Sequence, residues 1–345
     1  MVRGTGTLSE VARQCAVSQS TVSRVLNNRQ QGRFSVSDDV RQRILRVAQE
    51  LKYRPSMAAR NLTMSKTKLV AVMGVAGIWS DRVGPVEEAV GATAEALDGA
   101  GYDIYVSFLS KRHPFDLPAL RVDGIIIVGA KDTQILRTLD ASNVPYVSIN
   151  GLTGERGSAV NPDDARGARL ALKHFYDLGH RRIAYLDHWS IDAVHPSVME
   201  RRRAYLESAT ELGFEVPDLN LPMLPADAAW DSYYEPFVRR AIIEKKATAV
   251  LAYSHQGALS VLRTAHDMGL SIPGDFSLAC FNNEPVIRLC VPSITAVDVP
   301  AERMGRVAAE ILLRQMSLEQ PGEPVRLKMD ESLVVRESSA PAPQR

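Results

Sequence analysis

The sequence is poor in several features, and each shortage excludes a class of protein. Three cysteines in 345 residues, Cys15, Cys280 and Cys290, are odd in number and scattered. They exclude a disulfide framework and fit a reducing compartment, so a cytoplasmic protein is expected. No apolar run reaches the roughly 18 residues that a membrane span needs, and MVRGTGTLSE at the start has no signal-type apolar stretch. No membrane partner is expected. GTG at residues 4–6 neither follows a strand nor opens a helix, and there is no Walker loop, HExxH or paired CxxC. Ser254-His255 are sequence neighbours rather than an evident catalytic dyad. The reading is therefore a non-enzyme, with no catalytic residues, no metal ligands and no cofactor.

What is present is ordinary in bulk and unusual in distribution. Hydrophobic residues make up 45% and charged residues 23%, as in soluble globular proteins, and the length suits two or three domains. The net charge of +1 conceals an asymmetry. Residues 1–66 hold 12 basic against 4 acidic side chains, and the remainder 29 against 36. A basic head on a mildly acidic body points to an anionic partner for the head alone.

The head reads as three short helices. In TLSE, Thr7 and Glu10 form a capping box, and Leu8, Val11, Ala12 and Cys15 follow at helical spacing. Ala16-Val17-Ser18 is a tight turn, with Ser18 as the cap of the second helix. That helix, within VSQSTVSRVLNN, buries a stripe of Val22, Val25 and Leu26 and leaves hydroxyls, amides and Arg24 over. A third stripe runs through Val40, Ile44, Val47, Ala48 and Leu51. Two short helices joined by a tight turn in a basic head fit a helix-turn-helix, whose second helix enters the major groove of DNA.

Pro55 interrupts, and a weakly helical connector follows. From Leu69, short apolar runs alternate with helical patterns: LVAVMGV, DIYVSFL, GIIIVG and PYVSIN, then RIAYL, TAVLAY and FSLACF. Helices are expected near 85–100, 132–141, 163–178, 199–212, 233–244, 257–268 and 301–316. Continuous apolar strands alternating with helices indicate parallel sheets covered on both faces. The predicted fold class is an all-α helix-turn-helix head plus an α/β core of two doubly wound parallel-sheet subdomains. SSAPAPQR is expected to be a disordered tail.

TLSEVARQCAVSQSTVSRVLNN and VSDDVRQRILRVAQELKYRPSMAARNL together resemble the head of the LacI-type, or lactose-repressor, family of bacterial transcription regulators. RVDGIIIVG, HFYDLGHRRIAYL, GLSIPGDFSLACFNN, VPSITAVDVPAERMGRVAAEILL and LVVRES continue the resemblance in family order through almost the whole chain. It implies a core of periplasmic-binding-protein type, and a regulator, expected to be a repressor, that acts on double-stranded operator DNA as a homodimer at a pseudo-palindromic site. A small-molecule effector, expected to be a carbohydrate or derivative, would control operator affinity allosterically from between the two lobes. The implied boundaries are a DNA-binding domain at 1–55, a hinge at 56–67 and a core at 68–335. The first lobe takes about 68–162 and 292–318, the second 163–291 and 319–335, and 336–345 form the tail. A solute-binding protein without DNA activity is the alternative, since the core alone would fit it.

The resemblance also assigns roles. Gln19, Ser20 and Arg24 match base-reading positions; Thr7, Ser18, Thr21, Ser23 and Asn27 match positions that contact the DNA backbone. Leu62 matches the leucine that hinge helices press into the minor groove, with Ala58 and Ala59 small enough beside it. So short a helix is expected to fold only on DNA. In the core, residues just past strands are the effector candidates: Trp79, Asn150, Trp189, Ser254 and Asn282. Arg201 matches the arginine that points at effector oxygens, with Arg202 or Arg203 taking its place if the register slips. Trp230 matches an aromatic that stacks on sugar rings. Two departures stand out. Asn282 occupies a position where the family often has a carboxylate, so an effector that is anionic or offers acceptors is expected. SFLSKRHPFDLPALRVDG is too short for the helix usual between its flanking strands.

Overall fold

The computed structural model describes residues 7–26, 36–53, 66–75, 85–109, 121–187, 195–221, 233–320 and 322–344. Asn27, Ala59, Leu62, Trp79, Trp189 and Trp230, most of the hinge and the short segment after residue 109 lie outside the described residues. The chain forms two compact units, Met1–Thr67 and Lys68–Arg345.

The first unit contains α1 (Leu8–Gln14), α2 (Gln19–Leu26) and α3 (Asp38–Glu50). Their narrow stripes meet in one core of Val11, Ala12, Cys15, Val22, Val25, Ile44 and Ala48. The turn between α1 and α2 uses a left-handed Ala16 (φ 51°), and Val17 N–H bonds back to Ala12 O at 3.1 Å.

In the second unit two sheets follow the strand texture of the sequence. The first has the order β10-β5-β4-β3-β1-β2, all parallel. Its strands are β1 (Leu69–Val75), β2 (Asp103–Leu109), β3 (Gly124–Val128), β4 (Tyr146–Ile149), β5 (Ser158–Pro162) and β10 (Arg326–Met329). On β3, Ile126 and Val128 pack toward α4 (Pro85–Gly99) and α11 (Ala301–Ser317), while Ile125 and Ile127 pack toward α5 (Thr133–Ala141). A strand covered on both faces must be apolar at every position, which is why GIIIV reads as a continuous run. The two helices on one face touch closely: a Cβ at Gly305 would lie 2.1 Å from Ala89 O, and Thr93 Oγ1 donates to Gly305 O at 3.1 Å.

The second sheet has the order β11-β9-β8-β7-β6, parallel except for β11 against β9. Its strands are β6 (Ile183–Leu186), β7 (Ala249–Ala252), β8 (Ser277–Phe281), β9 (Thr295–Asp298) and β11 (Ser332–Val334). α6 (Asp164–Asp177) and α7 (Pro196–Leu212) cover one face. α8 (Tyr234–Val238), which continues in π-type turns over Arg239–Glu244, and α9 (His255–Asp267) cover the other. The short α10 (Pro285–Arg288) follows β8.

Three expectations need correction. β9 belongs to the second lobe rather than the first, because Ala279, Cys280 and Phe281 pair with Thr295, Ala296 and Val297. β10, placed by the sequence reading in the second lobe, pairs with β5 of the first; only after Glu331 does the chain cross to β11. The C-terminal segment is packed rather than disordered. Ser338 is fully buried and its Oγ donates to Leu278 O at 2.6 Å, Ala340 N–H donates to Ser277 Oγ at 3.0 Å, and Ala342 N–H donates to Leu178 O at 2.9 Å. The buried His180 joins this strap to the sheet, with Nδ1 2.9 Å from Thr248 Oγ1 and Nε2 3.0 Å from Ala340 O.

Candidate functional site

Two arrangements of polar groups stand apart from the packing. The first is on the head. Thr7 Oγ1 accepts from Glu10 N–H at 3.3 Å, and Glu10 Oε2 accepts from Thr7 N–H at 2.7 Å, which completes the capping box. These bonds to Thr7 hold the Glu10 carboxyl below the usual carboxylate range. Ser18 Oγ accepts from Thr21 N–H at 3.1 Å and lies 2.8 Å from both Ser20 Oγ and Thr21 Oγ1. The hydroxyl cluster is thereby set before any partner arrives. Val22 and Val25 are buried; Ser18, Gln19, Ser20 and Arg24 are exposed, with Thr21 and Ser23 half-buried. The sequence of α2, QSTVSRVL, contains no acidic residue. An outward face of one amide, several hydroxyls and one guanidinium suits phosphate and base-edge contacts.

The second arrangement lies where the carboxyl ends of the strands of one lobe meet the other lobe. Arg201 of α7 is the buried member of its arginine run. Its Nε donates to Asp164 Oδ1 at 2.5 Å and its Nη1 to Tyr253 O at 2.8 Å, with the guanidinium 3.9 Å over the Phe281 ring. Burial is the largest single influence and works against its charge; Asp164, Tyr253, Glu331 and Tyr185 together outweigh it, so the guanidinium stays charged. Arg202 and Arg203 are more exposed, pairing with Asp187 at 3.5 Å and Glu207 at 2.6 Å. Glu331, on the crossover between β10 and β11, is buried beside the pair, and neither carboxyl oxygen has a hydrogen-bond partner among the described residues. Burial raises its pKa above the ordinary glutamate value; Arg201 opposes the rise, and Asp164 adds to it. A methyl at Gly167 would lie 1.7 Å from Glu331 Oε2, so the glycine inside α6 makes room for that carboxyl.

The other core candidates divide. Asn282 ends β8 with a left-handed φ of 71°, and its side-chain amide makes no hydrogen bond among the described residues. Its neighbour Asn283 is occupied, donating to Asp298 Oδ1 at 2.8 Å and accepting from Arg336. Ser254 serves as the cap of α9, accepting from Gly257 N–H at 3.3 Å. His255 is buried and its pKa is pushed down to about 4 by burial, so the ring is neutral. Asn150 follows β4 with φ 49°; its carbonyl and side-chain oxygens meet His195 and Ser197 of the other lobe. Sequence reasoning missed His195, Asp164, Tyr253 and Glu331. The signal for Asp164 was weak, because Asp163-Asp164 reads simply as a helix start; Asp163 does cap α6, accepting from Arg166 N–H at 3.0 Å.

Among the described residues no cluster of His, Cys, Asp or Glu is placed to hold a metal ion, and no helix is long and apolar enough to cross a membrane.

Comparison with known proteins bears on both units of the chain. Residues 7–56 match the model of bacterial regulatory proteins of the lacI family, and residues 172–339 that of the periplasmic binding protein-like domain. Catabolite control protein A of Priestia megaterium is 27% identical, over 91% of this chain and 93% of its own. The HTH-type transcriptional regulator CelR of Thermobifida fusca is 29% identical, over 96% and 98%. Among solved structures, a CelR–cellobiose complex superimposes with a TM-score of 0.68 at 27% identity, covering 97% of this chain and all of that one. A lac repressor dimer bound to operator and the anti-inducer ONPF shares the fold, with a TM-score of 0.78 at 23% identity over 98% and 100%. CelR is named as a transcriptional regulator, and neither of these two relatives is named as an enzyme. The chain belongs to the lacI family of bacterial regulatory proteins.

Proposed function

We propose that the protein is a repressor that binds a pseudo-palindromic operator as a homodimer and is controlled by a carbohydrate held between its lobes. The observation that carries this reading is α2: an exposed polar face without an acidic residue, on a helix-turn-helix, in a head with a surplus of eight positive charges. Gln19, Ser20 and Arg24 read bases, while Thr7, Ser18, Thr21, Ser23 and Asn27 hold register on the phosphates. Ala59 and Leu62 of the hinge at 56–67 enter the minor groove. A second copy of the chain covers the exposed apolar loop after α10, where Leu289 and Val291 are 83% and 91% exposed; the operator-bound lac repressor is likewise a dimer.

In the core, Arg201 and Asn282 face the effector, with Asn150, Ser254, Trp79, Trp189 and Trp230 completing the site. The bond to Asp164 leaves Arg201 without net charge to offer, which favours a neutral saccharide over the anionic effector expected from Asn282 alone. The CelR complex with cellobiose supports that class. Effector binding selects one lobe arrangement and changes operator affinity by a coupling free energy of about 1–3 kcal/mol.

Selection of operators from random duplex DNA, followed by titration at several salt concentrations, tests the first part. A pseudo-palindromic consensus and a steep fall of affinity with salt are expected. A protein that binds no DNA would instead be a solute-binding protein. Calorimetric titration with cellobiose, other neutral saccharides and their acidic or phosphorylated counterparts tests the second part. Heat from the charged series alone would overturn the neutral-saccharide assignment.

A further inference from the structure

His195 stands at the N-cap of α7 in the second lobe, and Asn150 directly follows β4 in the first. His195 Nδ1 accepts from Ser197 N–H at 3.2 Å, and Nε2 lies 2.8 Å from the Asn150 carbonyl oxygen. A backbone N–H can only donate and a carbonyl can only accept. The two partners therefore dictate a neutral imidazole with its proton on Nε2. Ser197 Oγ adds a second bond across the cleft, to Asn150 Oδ1 at 3.2 Å. The left-handed backbone of Asn150 turns the chain out of the strand at this contact.

We propose that His195 is a proton-sensitive latch, which ties α7 of the second lobe to Asn150 of the first when neutral and releases it when protonated. A proton on Nδ1 faces the Ser197 N–H, so a donor meets a donor and α7 loses its cap. Among the described residues, the groups around the ring come from both lobes. Lys131 and Asn150 come from the first lobe, Ser197 and Arg201 from α7, and Asp164 from α6. Burial disfavours the imidazolium most, and Arg201 and Lys131 repel it. The Asn150 carbonyl and Asp164 favour it but do not compensate, so the ring titrates below its ordinary value. In the released state the ring meets water and titrates near ~6.5. The tied state thus binds fewer protons: it is fully favoured above that value and loses ground as pH falls through it.

The inference rests on the reading of lobe closure as the regulated motion, and its test measures closure without DNA. Spin labels are attached at Gln134→Cys of the first lobe and Met199→Cys of α7, in a full-length Cys290→Ser background. Labelled protomers are diluted into unlabelled protein. The interlabel distance should shift from short to long between pH 8 and pH 5.5. His195→Ala should show the long distance already at pH 8 and no further change, while His195→Gln, which keeps a donor for Asn150 O, should show no pH response. An alanine variant with the wild-type distance at pH 8, or with the wild-type pH response, overturns the latch. A distance shift without any change in operator affinity upholds the latch and removes closure as the regulatory motion.

Discussion

The head and the core use polar side chains in opposite ways. On α2 the polar groups face outward, around two buried valines: Gln19 and Arg24 stand exposed, and Ser20 and Thr21 bond Ser18 just ahead of the helix. In the core the corresponding groups are already engaged: Arg201 with Asp164 and Tyr253, Asn150 with His195 and Ser197. The head is a surface prepared for one charged partner. The core is a network in which, under the proposed function, a ligand would exchange partners with the protein, and such exchange would couple binding to motion. The difference predicts that substitutions in the core change stability along with response, whereas those on α2 change recognition alone.

The largest effect is expected at Asp164→Ala. It strands the buried Arg201 charge, and breaking a buried pair in this way costs ~3–5 kcal/mol. Denaturant unfolding should show the loss, with Asp164→Asn milder. Gln19→Ala comes next. It should cost ~1–3 kcal/mol of discrimination at one operator position and leave unfolding unchanged, whereas Thr21→Ala should weaken all operators alike. Competitive binding to a panel of single-base operator variants separates the two. A stability loss at Gln19 would break the comparison.

Glu331→Gln sharpens it through pH. Its carboxyl is held above the ordinary range in the fold, so the stability that its neutral form contributes is present at low pH and lost as pH rises through the raised value. Gln does not titrate, so its advantage over the native protein should grow from pH 6 to pH 9, toward the ~1–3 kcal/mol typical of an unsatisfied buried group. Thermal unfolding at the two pH values reads this directly. The smallest effect is Thr7→Ala, which removes one partner of the capping box. It should destabilise the head by ~1 kcal/mol, measured by hydrogen exchange in α1.

The sequence made the exposed site more legible than the buried one, for a physical reason. A helix with a narrow apolar stripe announces what it leaves outside, so α2 could be read from eight residues. Strands covered on both faces announced themselves as apolar runs. β5, β10 and β11 did not, because three to five residues without such a run carry little local signal. Their identity comes from pairing: Arg326 to Ala159, and Leu333 to Val297. The packed tail was hidden likewise: Ser338 bonds Leu278 and Thr295, and the Ala340 N–H bonds Ser277, all far back in the chain. Glu331 looked like one more charged residue near the end. Its burial is created by Gly167 and Arg201, more than a hundred residues earlier.

The seating of that C-terminal strap bears on biosynthesis. Among the described residues the core of the head draws on none later than Tyr53, so these packing partners are all present early in translation. The second sheet gains its β11 edge from Ser332–Val334, and its floor is finished by Ser338 to Ala342. A nascent chain thus carries the packed helices of its head well before a finished core. A frameshift or stop codon after α11 would leave the head intact but remove β10, β11 and the strap that complete the two sheets.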